Sequence, residues 1–354
     1  MNNTMRKLCL YLFGGACIVS LFGCGAGSKE KEASVDGFDL LISHIEQHHD
    51  FIHADEAPGV IEIQHLINGT ETGIHVIDLR TKAQYDTGHF PGAVNVPMDK
   101  LLDYFENGIH AAGFDTIALI SEDGQAAFYA LSLLRLLGYD NVYGVRFGMG
   151  WHADYSPMTW QSRISSDGEH ALVTGPSPAD NTYPWPTMLT SEEDAYQFLR
   201  HRVEELLKEG YDGVWISAGE VLDAPEDYFI VNYWPEHEYR VGHIPGARQY
   251  TPKKSLQRAN RLGTLPPDQT VVVYCHQGNN SATVTAYLRL LGYDALSMAF
   301  GTNSFMYETH SRELTRGLFR PETLITIPLE GSGARAMQQQ ATPLVKEVQG
   351  EGGC

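Results

Sequence analysis

The chain has 354 residues, of which 43% are hydrophobic, and a formal net charge of −19. That length suggests about two domains, each with enough apolar residues for a core. The acidic balance argues against a nucleic-acid partner, because phosphate binding wants a basic face; the acidic residues otherwise read as solvated surface.

In chain order, Arg6 and Lys7 precede an apolar run from Leu8 to Phe22. A charged start, a short apolar stretch and small residues at a cut site are the pattern of an export signal. The run is short for a membrane span. Leu21-Phe22-Gly23-Cys24 resembles the lipobox of bacterial lipoproteins, in which the cysteine is lipidated and becomes the first residue. The expectation is a signal peptide over 1–23, lipidation at Cys24 and a polar tether over 24–35; an ordinary signal peptide cut nearby is the alternative. The protein is then exported and held on a membrane by its lipid anchor. Gly25 beside the cysteine favours the periplasmic face of the outer membrane. Beyond residue 23 only Cys24, Cys275 and Cys354 remain, too few for a disulfide framework.

A helical pattern over Phe38–Phe51 carries His44 and His48 four residues apart, with His49 and His53 close by. That spacing can bind metal, but a polar helix face explains it equally, and no metal is expected. A strand over His75–Leu79 leads to the turn GHFPGA at 88–93. An apolar strand over Thr116–Ile120 runs into the polar loop that begins at Ser121. A helix then places Leu131, Leu134 and Leu137 at helical spacing. The Pro-rich stretch 167–187 reads as a linker.

The order then repeats. A helical pattern spans Ser191–Lys208, a strand Tyr228–Tyr233, the turn GHIPGA 242–247 and an apolar strand Thr270–Tyr274. A loop opens at Cys275, and a helix carries Val284, Leu288 and Leu291. His89 and His243, like Gly138 and Gly292, are 154 residues apart. This is a tandem duplication, with domains expected over 36–166 and 188–330 and a disordered tail over 331–354. Strands alternating with helices predict an α/β fold, each domain a parallel sheet flanked by helices. Ligands of such sheets sit beyond the carboxyl ends of the strands, where Cys275 lies.

VIDLRTKAQYDTGHFPGAVNVP (76–97) and VVVYCHQGNNS (271–281) resemble the signatures of the two-domain rhodanese family. The first resembles its strand ending in Asp-x-Arg, followed by Gly-His-[Ile/Phe]-Pro-Gly-Ala. The second resembles its active loop, Cys-x-x-Gly-x-[Arg/Lys]-[Ser/Thr]. The resemblance covers nearly all of 36–330 and implies two tandem rhodanese-like domains with sulfurtransferase chemistry. Asp78, Arg80, Gly88 and His89 keep the pattern in the first copy, but Ser121 stands where the thiol belongs, beside Glu122 and Asp123. The second copy keeps Cys275 but has Asn232 and Trp234 for the Asp and Arg, and Asn280 for the loop cation. The resemblance implies an inactive first domain and a thiol-bearing second one.

Sulfur transfer needs a thiolate that takes a sulfane sulfur as a persulfide and passes it on. A helix N-terminus lowers a thiol's pKa. The backbone N–H groups of His276, Gln277, Gly278, Asn279 and Asn280 are expected to converge on the sulfur. Gly278 permits the bend, and Ser281 is expected to cap a helix starting near it and to donate to the sulfur. The alternative for Cys275 is a small buried hydrophobe at a strand end. His276 could supply a proton or partial charge, or be a solvated loop residue. Arg240 and Arg248, flanking GHIPGA, are candidate substitutes for the missing cation, against ordinary surface arginines. Cys354 is a candidate resolving thiol or a plain tail residue. No cofactor is expected. The expected partners are a small sulfur-containing anion or thiol acceptor, with a protein partner also open. A non-catalytic binding or scaffold lipoprotein on the same fold is the competing reading. A phosphatase relative needs a loop one residue longer that ends in Arg, and both are missing here.

Overall fold

The structure, a computed structural model, describes residues 35–69, 73–314 and 316–331. Cys24 and Cys354, with the expected signal peptide, all but the last residue of the expected tether and all but the first residue of the expected tail, lie outside the described residues.

Two sheets carry the fold. After the short β1 (Val35–Asp36), the first sheet is built from β2 (Val60–Ile61), β3 (Ile74–Asp78), β4 (Val94–Asn95), β5 (Thr116–Ile120) and β6 (Val142–Val145). Its order is β2-β6-β5-β3-β4, and every pair is parallel. Following β7 (Leu189–Thr190), the second sheet uses β8 (Trp215–Ile216), β9 (Phe229–Asn232), β10 (Arg248–Gln249), β11 (Val271–Tyr274) and β12 (Ala295–Met298). Its order, β8-β12-β11-β9-β10, repeats the first strand for strand, again all parallel. The fold is α/β, with helices flanking both parallel sheets. Central β11 reads Val-Val-Val-Tyr and is buried throughout, as a strand covered on both faces must be.

The helices follow the sequence patterning closely. Gly37–His48 starts where the Asp36 side chain accepts the Phe38 N–H at 3.0 Å. Ala195–Glu209 starts where Asp194 accepts from Gln197 at 2.8 Å. Each such cap satisfies a donor that the first helical turn leaves over.

The halves share one interior. Helix Gln125–Leu136 and its counterpart Asn279–Leu290 are buried almost all round, which a helix tolerates only inside a core. They meet each other: Ser132 Oγ donates to the Thr283 carbonyl at 2.9 Å. Phe128, Leu133 and Leu136 join Ala282, Ala286 and Leu290 in a single apolar cluster. Each Phe or Leu among them contributes about 1.5–3 kcal/mol when fully buried. The trailing segment of each half crosses to the other. Val173 bridges to His243 and Glu330 to His89, the two histidines of the GH[FI]PGA turns, while β1 pairs antiparallel with β7. The stretch 167–187 therefore touches both halves: Tyr183 N donates to the Gly263 carbonyl of the second at 2.9 Å, and Trp185 stacks on Phe38 of the first at 4.8 Å.

Candidate active site

Strand β11 ends at Tyr274, and residues 275–278 turn the chain into helix Asn279–Leu290. Gly278 makes that turn with φ 88°, a left-handed conformation that suits glycine. It also lies against the first half: a Cβ there would sit 2.3 Å from Gln125 Oε1. The helix begins two residues before Ser281, and Gly278 is its N-cap, with no side chain to offer. Ser281 is therefore not the cap. It is the third helical residue, and its N–H donates to Cys275 Sγ at 3.3 Å. The sulfur occupies the place that a capping oxygen normally takes. Among the described residues this is the one backbone N–H that reaches the sulfur, rather than the converging set the sequence suggested. Cys275 Sγ also lies 3.7 Å from Ser281 Oγ. That oxygen in turn lies 3.0 Å from the Gly278 carbonyl and 2.8 Å from Ser297 Oγ.

Cys275 is 1% exposed. Its carbonyl accepts the Thr302 N–H at 3.1 Å. Gly301 packs so closely on the loop that a Cβ there would come within 2.2 Å of the Cys275 carbonyl oxygen. Gln277 Oε1 accepts from Arg146 Nη1 of the first half at 3.0 Å. Asn279 is buried and neither amide atom has a hydrogen-bond partner. Asn280 is half-buried.

His276 is buried too. Its ring stacks on Trp234 at 4.9 Å with 15° between planes. Its Nε2 lies 3.0 Å from Glu238 Oε2, an ion-pair contact in which the carboxylate sits off the line of the ring N–H. Burial alone would push the Glu238 carboxyl up; His276, Arg316 and His237 outweigh it and hold the carboxyl below its ordinary range. His310 packs beside His276, with ring centroids 5.5 Å apart. Burial pushes His310 down to about 4, and its ring nitrogens contact Thr302 Oγ1 at 2.8 Å and the Arg316 carbonyl at 2.6 Å.

The first half shows the same loop filled differently. Ser121 Oγ accepts the Gly124 and Ala127 N–H groups at 3.1 and 3.3 Å, so a hydroxyl occupies the place of the thiol. Arg80 Nη2 grips Asp78 Oδ2 at 2.7 Å and the Gly88 carbonyl at 2.8 Å. Glu122 and Asp123 stand in the loop, and burial pushes the Asp123 carboxyl up. In the second half Trp234 fills the Arg80 position and Asn232 the Asp78 position, both wholly buried.

Neither candidate arginine is engaged with the loop. Exposed Arg240 pairs with Glu236 at 2.5 Å. Arg248 lies over the Phe229 ring, 4.5 Å from its centroid. Both belong to the β9–β10 side of the sheet, and among the described residues the arginine that hydrogen-bonds the loop, Arg146, comes from the other half. The His44 and His48 rings stack at 4.4 Å, and His53 pairs with Asp50. Among the described residues no group of three or more His, Cys, Asp or Glu is arranged to hold a metal ion. No helix among them is long and apolar enough to cross a membrane. A cleft of about 490 Å³ between the halves is lined by Glu122, Asp123, Tyr211, Trp215 and Phe300 among others, but not by Cys275.

The sequence reading missed Glu238, His310 and Arg146. A signal for Glu238 was present in Pro235. In the first half Gln84, at the third helical position, folds back on Thr81, accepting from its N–H at 3.1 Å and its hydroxyl at 2.8 Å. Pro235 offers neither group, so Glu238 is free to turn to His276.

The Rhodanese-like domain family matches the chain twice, over 62–153 and 204–307, together more than half its length. A tRNA sulfurtransferase of Pyrobaculum aerophilum is 37% identical over 79 residues, 22% of this chain and 16% of that protein, so the match spans about a sixth of that relative. A crystal structure described as a probable thiosulfate sulfurtransferase is 20% identical, covers 68% of this chain and 97% of its own, and has a TM-score of 0.27. A thiosulfate sulfurtransferase from Pseudomonas aeruginosa is 12% identical, covers 75% of this chain and 47% of its own, with a TM-score of 0.27. Two parallel five-stranded sheets in tandem, each with the strand–loop–helix turn at Cys275 or Ser121, agree with the two family matches: the chain belongs to the rhodanese-like domain family and carries two copies of the domain.

Proposed function

We propose that this protein is a sulfurtransferase that carries sulfane sulfur as a persulfide on Cys275. The observation that carries this reading is the Ser281 N–H donated to Cys275 Sγ at 3.3 Å from the first turn of helix Asn279–Leu290. A helix N-terminus favours negative charge, so it favours thiolate over thiol and steadies the persulfide anion that follows. The names of the relatives support the same chemistry.

With thiosulfate as donor, the Cys275 thiolate attacks the outer sulfur. The new Cys–S–S bond forms as the S–S bond of the donor breaks, and sulfite leaves with that electron pair. A thiolate acceptor then attacks the outer persulfide sulfur and receives it, and the Cys275 thiolate leaves as the original anion. No outside oxidant or reductant is consumed. With 3-mercaptopyruvate the thiolate attacks the donor's sulfur, the C–S bond breaks in place of an S–S bond, and its electron pair leaves as pyruvate enolate, which takes up a proton to give pyruvate.

The burial of Cys275 at 1% exposure favours a second reading, a rhodanese-fold binding or scaffold protein without turnover. Steady-state transfer from thiosulfate and from 3-mercaptopyruvate to a thiol acceptor separates the two. The enzyme reading expects multiple turnovers that vanish in Cys275→Ser and persist in Ser121→Ala. Transfer equal in wild type and Cys275→Ser would overturn it. The segment before residue 35 supports an exported protein anchored by lipid at Cys24. Metabolic lipid labelling lost in Cys24→Ala is the expected result, and labelling unchanged by that substitution would refute the anchor.

A further inference from the structure

The second copy lacks a loop cation at position 280, where the resemblance predicts Arg or Lys, yet it has gained a charge pair elsewhere. Glu238 and His276 face each other at 3.0 Å and are 7% and 6% exposed. One repeat earlier the same two positions hold Gln84 and Glu122, joined at 2.5 Å in an exposed contact. The loop partner is thus a carboxylate beside Ser121 and an imidazole beside Cys275. Three features of the second copy make the exchange work. Pro235 leaves Glu238 nothing to fold back on, Trp234 supplies a flat face for the imidazole, and Gly317 lies against His276 and seals it.

We propose that the Glu238–His276 pair takes over the role of the missing loop cation, the His276 imidazolium stabilising the anionic sulfur of Cys275 and Glu238 holding that imidazolium in place. This rests on the sulfur-transfer reading of Cys275. Glu238 acts through His276 and is a positioning residue. A buried carboxylate needs a counter-charge, and among the described residues His276 is the one ion-pair contact that Glu238 makes. His276 is the residue next to Cys275 and both are buried, and a charge in a buried loop acts through a lower dielectric than in water.

The groups facing the pair are few. His310, 5.5 Å from the His276 ring, is pushed down to about 4 by burial and stays neutral in the working range. Arg316 and His237 act on Glu238 and reinforce its negative charge. Arg320 acts on His310 in turn, and Cys275 adjoins His276 in the chain. Persulfide formation then needs the Cys275 proton off and the His276 proton on, which makes its pH profile bell-shaped.

The test measures two things on Glu238→Gln, His276→Gln and wild type. The first is the Cys275 thiolate absorbance against pH, taken as a difference from Cys275→Ser. The second is the single-turnover rate of persulfide formation from thiosulfate against pH. Either substitution should raise the thiol pKa by about one unit and slow persulfide formation near neutrality about tenfold. His276→Gln should also remove the descending limb of the profile, and Glu238→Gln should move that limb to lower pH. His276→Lys, which keeps a positive charge, should restore the wild-type thiol titration without the limb. A merely structural pair would lower stability in the urea melt and leave limb and thiol pKa in place, which would overturn the proposal. Thiol pKa values that respond as stated with no persulfide in wild type would instead refute the sulfur-transfer reading while upholding the pair.

Discussion

Gly278→Ala tests the site and the contact between the halves together. An alanine there must adopt φ 88°, at a cost of about 1–2 kcal/mol for an L-residue in the left-handed region. Its Cβ would also sit 2.3 Å from Gln125 Oε1, so Gln125 has to move. That oxygen accepts the Phe300 N–H at 2.9 Å, and losing the bond adds about 1–2 kcal/mol. The expected total is about 2–4 kcal/mol of lost stability, read from urea midpoints at constant slope. In a Gln125→Ala background the clash and the Phe300 bond are already gone. There the same substitution should cost only the backbone term, about 1–2 kcal/mol. An equal cost in both backgrounds would refute the clash, and a cost below about 1 kcal/mol in the wild-type background would refute the strained turn as well.

Other consequences follow from buried charge. Arg80→Met leaves the Asp78 carboxylate, 0% exposed, without its partner and should cost about 3–5 kcal/mol in urea unfolding. The double change Asp78→Asn with Arg80→Trp, the pair found in the second half, should cost less than Arg80→Met alone. Burial holds His310 at about 4 against an unfolded value of 6.5. The unfolded chain therefore takes up the proton first, and the contribution of His310 to stability is present above pH 6.5 and lost as pH falls toward 4. The loss is roughly 3 kcal/mol. His310→Gln should remove that slope from urea stability measured across the window, and an unchanged slope would show that another group carries it.

The repeat made the fold legible. A shared spacing between two turns and two Leu-Gly-Tyr-Asp corners fixed the two halves, and apolar β11 running into a Gly-bearing loop placed Cys275 at a strand end. What was not legible depends on contacts distant in sequence. Arg146 reaches Gln277 across 131 residues, and Gln125 meets Gly278 only because two equivalent helices pack on each other. Ser281 looked like a cap because it is a good capping residue. The structure starts the helix at Asn279 because Gly278 turns the chain there and the sulfur itself accepts the Ser281 N–H. The candidate arginines failed on geometry, since flanking a turn in sequence put them beside Glu236 and Phe229 rather than beside the thiol.

The central claim is that sulfur rests on Cys275 between donor and acceptor. Wild-type protein is exposed to thiosulfate labelled in its outer sulfur, then freed of donor, and the peptide carrying Cys275 is analysed by mass before and after a thiol acceptor is added. The account predicts one labelled sulfur on that peptide, none in Cys275→Ser, and its quantitative passage to the acceptor. Label that is absent from the peptide, or that remains there when acceptor is added, would contradict it.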